Sequence, residues 1–544
     1  MTTRIVDGVV FSPYPDFDVQ NHSATSVIRE GLCKFGEKVV AIDNDQQLTG
    51  NQLLRKIQRY ALGFQRSGLR PGSYVCAHVS NTVENVAAIL GVVFVGGTVV
   101  MAKPSLVTRE LLYQIKDSGC RYVLTDKHGA SKVLEVRKEH RLEELFCIGD
   151  LPGFTDIGQF QELSESSFEE YSPRDNAEDV IAVLYTSGST GLPKGVEVSH
   201  KSFVASFRSF DSPKLMNEDD VFLAWSPITH VSGFALNVFV MCIGCQAIFT
   251  EHYIPFQEFL KYLETYKIST VFGFPTKMQS IIDEARTTKA SVPRVKKILL
   301  AGSLPPRSLG KDLCEVFGVE TLSNIYALSE TFGVVSATPP GHVTTDNVGF
   351  PVAGCKVKIV DFVSGKTMAS FEHGEIWTQC SSVMKGYHGR PEATADVLTA
   401  DGWFRTGDLG YHDDEGRLYI VDRLKQMIKC MDNQLAPAEL EEILLSHDAV
   451  KEVSVVGIPS AKYGEAPAAC VVLREEYREK NEAVEEELKQ LIAGQTAVYK
   501  HLYGGVIFMD SLPKSDIGKI LRQALKSEIE ARRAAESGEI GRAH

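Results

Sequence analysis

The sequence predicts an α/β protein: parallel sheets covered by helices over most of its length, then a more antiparallel stretch, then a separate smaller α+β unit. Three observations predict it. First, 544 residues are several times one typical core, so two to four domains are expected. Second, short apolar runs bounded by turn formers alternate with helical patterns through the first 420 or so residues. Third, the rhythm changes near Asn347 and again near residues 421–425.

The parallel part rests on the runs at 74–78, 121–125, 247–250, 268–272 and 297–300. Two longer apolar stretches, 86–102 and 231–250, read as a buried helix feeding a buried strand, not as membrane spans. Gly91, Gly96 and Gly97 interrupt the first, and Asn237, Gly244 and Gln246 the second. Residues 357–361, 374–379 and 417–421 read as strands joined by turns. Beyond Val421-Asp422-Arg423-Leu424-Lys425 comes a fresh pattern. It has a helix near 436–446, strands at 453–457 and 468–473, and a Glu- and Lys-rich solvated helix from 480 to 492. The polar tail after Lys526 is expected to fray.

The formal net charge of -13 argues against nucleic acid as the main partner, because a phosphate backbone demands clustered Lys and Arg. Eleven scattered cysteines predict reduced thiols in an intracellular protein. Cys242 and Cys245 make one C-x-x-C inside an apolar run, where packing is expected over metal binding. The N-terminus lacks the apolar core of a signal peptide. The chain ends Gly-Arg-Ala-His, not the peroxisomal Ser-Lys-Leu. The expected location is cytoplasmic.

The chemistry-bearing stretch is 185–195, Tyr-Thr-Ser-Gly-Ser-Thr-Gly-Leu-Pro-Lys-Gly. Thr186, Ser187, Gly188, Ser189, Thr190, Gly191 and Lys194 follow a predicted strand. Glycines let the backbone approach a ligand, turned N–H groups can ring an anion, and the hydroxyls and Lys194 add donors and charge. Lys194 is followed by Gly195, and Pro193 precedes it, so this is not a Walker A loop. A plain surface turn is the alternative. Downstream, Ser329-Glu330 sets a hydroxyl beside a carboxylate that could hold Mg2+ next to phosphate. Thr406-Gly407-Asp408 sets an aspartate after a glycine turn, suited to two ribose hydroxyls or to a simple turn. Asp422-Arg423 and Pro513-Lys514-x(3)-Gly518-Lys519 complete the set.

These motifs, in one order over most of the chain, resemble the adenylate-forming superfamily of acyl-CoA synthetases, 4-coumarate–CoA ligases and beetle luciferases. The resemblance implies a large N-terminal domain of two stacked α/β subdomains plus a small β-barrel (1–421). It further implies a hinge at 422–425 and a mobile C-terminal domain (426–544). It implies ATP, Mg2+ and coenzyme A as partners of a small carboxylic acid, with acyl-AMP as intermediate. The 186–194 loop would cradle phosphates, with Ser329 on phosphate and Glu330 on Mg2+. Gly302, Ser303 and Tyr326 would border adenine. Asp408 would hold the ribose with Arg423 nearby. Lys519 would bridge carboxylate and α-phosphate, Lys429 would serve the second step, and His230 would gate the acyl pocket or else pack in the core.

Two departures stand out. Relatives carry Lys-x-x-Gly-Tyr-x-Val-x-Pro where this chain has Lys429-Cys-Met-Asp432-Asn433-Gln-Leu-Ala-Pro437. Asp432 puts bulk and charge beside the expected pantetheine tunnel. Ile325 and Ala327 stand where Gly-Tyr-Gly is usual, which predicts a narrower acyl pocket. The leading reading is a ligase for a fatty or arylpropenoic acid. A luciferase-like oxygenase and a nucleotide binder impaired in the thioester step are the alternatives.

Overall fold

The computed structural model describes residues 3–43, 46–173, 175, 178–186, 192–431, 433–460, 462–515 and 518–540. Short β-branched runs build two parallel cores. In one sheet the strands Val180–Thr186, Thr98–Met101, Tyr74–His78, Tyr122–Thr125 and Glu144–Cys147 lie side by side and parallel. Lys194–Ser199 and Gly386–Tyr387 add antiparallel strands at one edge. In the other, Thr321–Leu328, Lys297–Leu300, Thr270–Gly273, Val221–Ala224, Gln246–Phe249 and Val39–Asp43 run parallel.

The two ambiguous apolar stretches each fold as a helix and a strand. Val83–Phe94 leads into Thr98–Met101, and Val231–Cys242 into Gln246–Phe249. Gly96 and Gly244 make the turns between them, with φ of +82° and +81°, values that suit a residue without Cβ. Both helices are buried almost all round because they lie between layers. One continuous core joins Tyr60, Phe64 and Phe94 to Phe203, Phe234 and Phe239, so the two α/β units share their packing. Cys242 and Cys245 are buried there, and the Cys245 thiol donates to the Asp220 carbonyl at 3.1 Å.

The antiparallel segment is a six-stranded sheet: Ile5–Val6, Val9–Phe11, Cys355–Val360, Gly374–Cys380, Phe404–His412 and Leu418–Arg423. It recruits the N-terminal strands, a long-range pairing that local pattern does not reveal. The sheet curls until Gly416, before its last strand, lies against Thr3 and Val10. Strand alternation buries Val357, Ile359 and Ile376 and turns Lys356, Lys358, Trp377 and Arg405 outward. There the Lys358 amine sits 4.3 Å from the Trp403 ring centroid and 4.9 Å from that of Trp377.

From Ile428 on, the chain builds a five-stranded sheet around the hairpin Val450–Ser460 and Gly464–Leu473. Alternate residues serve opposite faces. Val455, Ala469 and Val471 pack against the helices Pro437–Leu445 and Asn481–Gln495, while Val456, Cys470 and Val472 pack under Arg522–Ile540. The tail expected to fray is instead helical to Ile540, because Leu525 and Ile529 are buried in that second cluster. Among the described residues, no helix is long and apolar enough to cross a membrane.

Leu488 is fully buried in the smaller unit's core. Leu488→Ala is expected to cost about 3 kcal/mol of stability through lost transfer energy and a residual cavity, read as a lowered urea midpoint. An unchanged midpoint would mean this core is not packed as described.

Candidate active site

The strands Val180–Thr186 and Lys194–Ser199 form a hairpin in which Thr186 faces Lys194 and Tyr185 faces Gly195. Its connection lies beyond the carboxyl end of a parallel strand, where open α/β sheets bind ligands. Lys194 opens a strand, not a helix. Ser187, Gly188, Ser189, Thr190 and Gly191 lie outside the described residues. The Lys194 amine stands 5.0 Å from the Tyr387 ring centroid. Tyr387, from the edge strand Gly386–Tyr387, donates its hydroxyl to Glu330 Oε1 at 2.9 Å. Burial first, then the Glu330 charge, pushes the Tyr387 phenol well up, so it stays a donor.

Ser329 and Glu330 follow the strand Thr321–Leu328, and both are half-buried. Among the described residues, no three His, Cys, Asp or Glu side chains gather at one point. A divalent cation beside Glu330 would therefore be held by one carboxylate and by phosphate oxygens, a donor set that fits Mg2+.

Gly407 adopts φ +70° in a bulge where Phe404–His412 pairs irregularly with Gly374–Cys380. Such a bulge re-aims the next side chain. Asp408 thereby turns inward and is 3% exposed. Its Oδ2 accepts from the Tyr326 hydroxyl at 2.6 Å, and its Oδ1 lies 3.1 Å from Arg423 Nε. A carboxylate offers about four lone-pair sites, so acceptor capacity remains. Tyr326 is thus found orienting Asp408, a role its position in sequence did not reveal. The Asp408 charge raises the Arg423 guanidinium further above its ordinary range.

Gly302 and Ser303 are exposed just past the strand Lys297–Leu300. A Cβ on Gly302, at φ +95°, would stand 2.5 Å from Phe274 Cδ1, so only glycine fits. Phe274 also meets His230 edge-on, with ring centroids 6.2 Å apart. His230 caps the helix Val231–Cys242, its Nδ1 lying 2.8 Å from Ser232 Oγ. Ile325 is buried and Ala327 half-buried on the neighbouring strand.

Lys519 arrives from the smaller unit. The carbonyl of Gly518 accepts from Thr276 Oγ1 at 2.8 Å. Burial, followed by the positive charge of Arg423, lowers the Lys519 amine to about 8, while Asp408 and Glu330 pull it upward. The structure therefore brings Lys519, Arg423, Asp408 and Glu330 into one electrostatic neighbourhood. Lys429 is exposed on the strand Ile428–Cys430, its N–H donating to Glu465 Oε2 at 2.9 Å. Asp432 lies outside the described residues. Arg522, three residues past Lys519, bonds Glu441 at 2.5 Å and Gln426, and lies 3.8 Å from Asp422. Asp422 in turn accepts from the N–H groups of Arg423 and Ala438 at 2.7 and 3.1 Å.

The family profile described as AMP-binding enzyme matches residues 29–388, and that of the AMP-binding enzyme C-terminal domain matches 439–519. The chain is 31% identical to 4-coumarate–CoA ligase 1 of Petroselinum crispum over 543 residues, 96% of this chain and 97% of that one. It is 29% identical to luciferin 4-monooxygenase of Photuris pensylvanica, covering 96% and 98%. Its fold matches the anthranilate CoA ligase AuaEII, solved with anthranoyl-AMP, with a TM-score of 0.85 and 22% identity, covering 95% of this chain and 99% of that one.

Competitive amine labelling across pH should find Lys519 titrating near 8, well below an ordinary lysine. Asp408→Asn removes a charge that raises it, so the midpoint should move lower still. A midpoint in the ordinary lysine range would place Lys519 in solvent.

Proposed function

The chain belongs to the AMP-binding enzyme family, within the adenylate-forming superfamily, and from that premise we propose that it activates an apolar carboxylic acid. ATP and the acid form acyl-AMP and pyrophosphate, and the acyl group then passes to coenzyme A. The observation that carries the reading is the approach of Lys519, brought from a separate unit, to the Asp408–Arg423 pair and Glu330.

The chemistry explains the charge pattern. A carboxylate must attack an α-phosphate, and both are anions. At ~4 Å one like-charge pair costs about 1 kcal/mol in water and about 4 kcal/mol at an effective dielectric of 20. Cations held in place before the reaction offset this without reorganising. Lys519 spans the two anions, which suits a point charge on a flexible stem. Asp408 takes the ribose hydroxyls, oriented by Tyr326 and Arg423. Lys194 and the 186–191 hydroxyls and N–H groups meet the outer phosphates, with Ser329. Glu330 would hold Mg2+, which supplies further charge neutralisation. Gly302 and Ser303 border adenine.

His230, Phe274 and the buried Ile325 support a confined, apolar acyl pocket. The hinge at 422–425 would let the 426–544 lid turn, withdrawing Lys519 and presenting Lys429 to the thioester step. Asp432 would slow that step. A luciferase-like outcome shares the first half-reaction and differs in what meets the adenylate.

Pyrophosphate exchange over a panel of carboxylic acids, with and without coenzyme A and under luminescence detection, tests the proposal. Exchange followed by a CoA thioester is the expected result; exchange with no thioester removes the ligase reading, and no exchange removes adenylation. Lys519→Ala should cut exchange by ~100-fold or more while ATP still binds. Since the free Lys519 amine is protonated below about 8, kcat/KM for adenylation should fall as pH rises through that value, and Lys519→Arg should abolish the limb. Asp432→Gly should raise thioester yield; an unchanged yield would absolve Asp432.

A further inference from the structure

Both ends of the 187–193 connection are tied to one ion pair that the proposed chemistry does not use. Arg390 stands at the start of the helix Pro391–Val397. Its guanidinium forks onto Asp117, with Nη2 to Oδ1 at 2.6 Å and Nη1 to Oδ2 at 3.2 Å. Asp117 lies on the helix Thr108–Ser118, one turn after Tyr113, so the two side chains share a face. Arg390 Nη2 also reaches the Tyr113 hydroxyl at 3.2 Å.

From this pair two arms run to the connection. The Tyr185 hydroxyl donates to Asp117 Oδ2 at 2.7 Å, and Tyr185 immediately precedes Thr186. The Tyr113 hydroxyl donates to the Pro193 carbonyl at 2.9 Å, and Pro193 immediately precedes Lys194. The rings of Tyr113 and Tyr185 meet edge-on at 6.3 Å, so the arms brace each other.

The segment that delivers Arg390 is itself laid along the strand Lys194–Ser199. Tyr387 pairs with Val196, and the His388 N–H donates to the Gly195 carbonyl at 2.8 Å. The same segment places the Tyr387 ring under Lys194 and its hydroxyl on Glu330. The polar order is self-consistent. Burial first, then the Asp117 hydrogen bond, keeps the Tyr185 phenol protonated. Burial would raise the Asp117 carboxyl, but Arg390 and Tyr185 outweigh it and hold it below its usual range. A bidentate guanidinium–carboxylate pair fixes orientation as well as distance.

We propose that Asp117 and Arg390 are a positioning pair for the triphosphate: through Tyr185 and Tyr113 they set the spacing of the two ends of the phosphate loop, and so act on ATP and pyrophosphate without touching either. The proposal rests on the reading that residues 186–194 meet the phosphates. A cradle of N–H groups stabilises an anion only if its donors are aimed in advance. Loss of the clamp therefore weakens nucleotide and pyrophosphate, not the acid. An ion pair that merely joined two units would lower thermal stability and affect all substrates alike.

The test uses the full chain and pyrophosphate exchange, with KM determined separately for ATP, pyrophosphate and the acid. Arg390→Gln should raise the KM values of ATP and pyrophosphate about tenfold, and leave that of the acid within about twofold. Adding Asp117→Asn to Arg390→Gln should cause little further loss, because both remove the same clamp. Should Arg390→Gln not fold, Tyr113→Phe removes the arm to Pro193 and the Arg390 contact with that hydroxyl, spares the Asp117–Arg390 fork, and should raise the ATP KM about threefold. A parallel rise in all three KM values, or a lowered Tm with KM values unchanged, overturns the proposal. Lys194→Ala separates the two levels. If it leaves the ATP KM unchanged, the phosphate-loop reading fails. If it raises that KM and the clamp variants do not, the clamp alone fails.

Discussion

The site depends first on one buried carboxylate that is paired and aimed. Asp408 is almost inaccessible, and an unpaired carboxylate in such a place would be strongly disfavoured. Tyr326 and Arg423 give each of its oxygens a partner. Those partners come from different sheets: Tyr326 from the end of a parallel strand, Arg423 from the last antiparallel one. The same contact thus holds the edge of an α/β unit against the six-stranded sheet. Removing one partner would leave the other charge or donor stranded, which usually costs more than the pair itself contributes.

The charge layout follows from that arrangement. The chain carries a net -13, yet Lys194, Arg423, Lys519 and Arg522 are gathered around a small number of carboxylates. Arg423 and Arg522 both depress the Lys519 amine, while Asp408 and Glu330 raise it. Burial is the larger influence, and together with these charges it lowers the lysine to about 8. A triphosphate placed as proposed would strengthen its protonated form.

Local pattern made the regular elements legible. Tyr74–His78 and Lys297–Leu300 were bounded correctly because β-branched runs end there in turn formers. The helix-then-strand order of the two apolar stretches is legible because glycine marks each turn. The partners of the functional side chains were harder to see. Tyr326 meets Asp408 across 82 positions, and Thr276 meets Gly518 across 242. Tyr387 and Arg390 belong to no phosphate or ribose motif, and only the antiparallel edge strand brings them to the site. The pairing of Val9–Phe11 with Cys355–Val360 was invisible for the same reason. The tail is helical where its polar composition predicts fraying, because Leu525 and Ile529 are buried and seat it.

The touch between the Thr276 hydroxyl and the Gly518 carbonyl has a kinetic meaning. A lone neutral hydrogen bond contributes ~1 kcal/mol, roughly a fivefold preference. Such a fastening favours the docked arrangement without locking it. If the smaller unit turns as proposed, a grip of that modest strength would serve it, since a firmer one would trade quick engagement for slow departure.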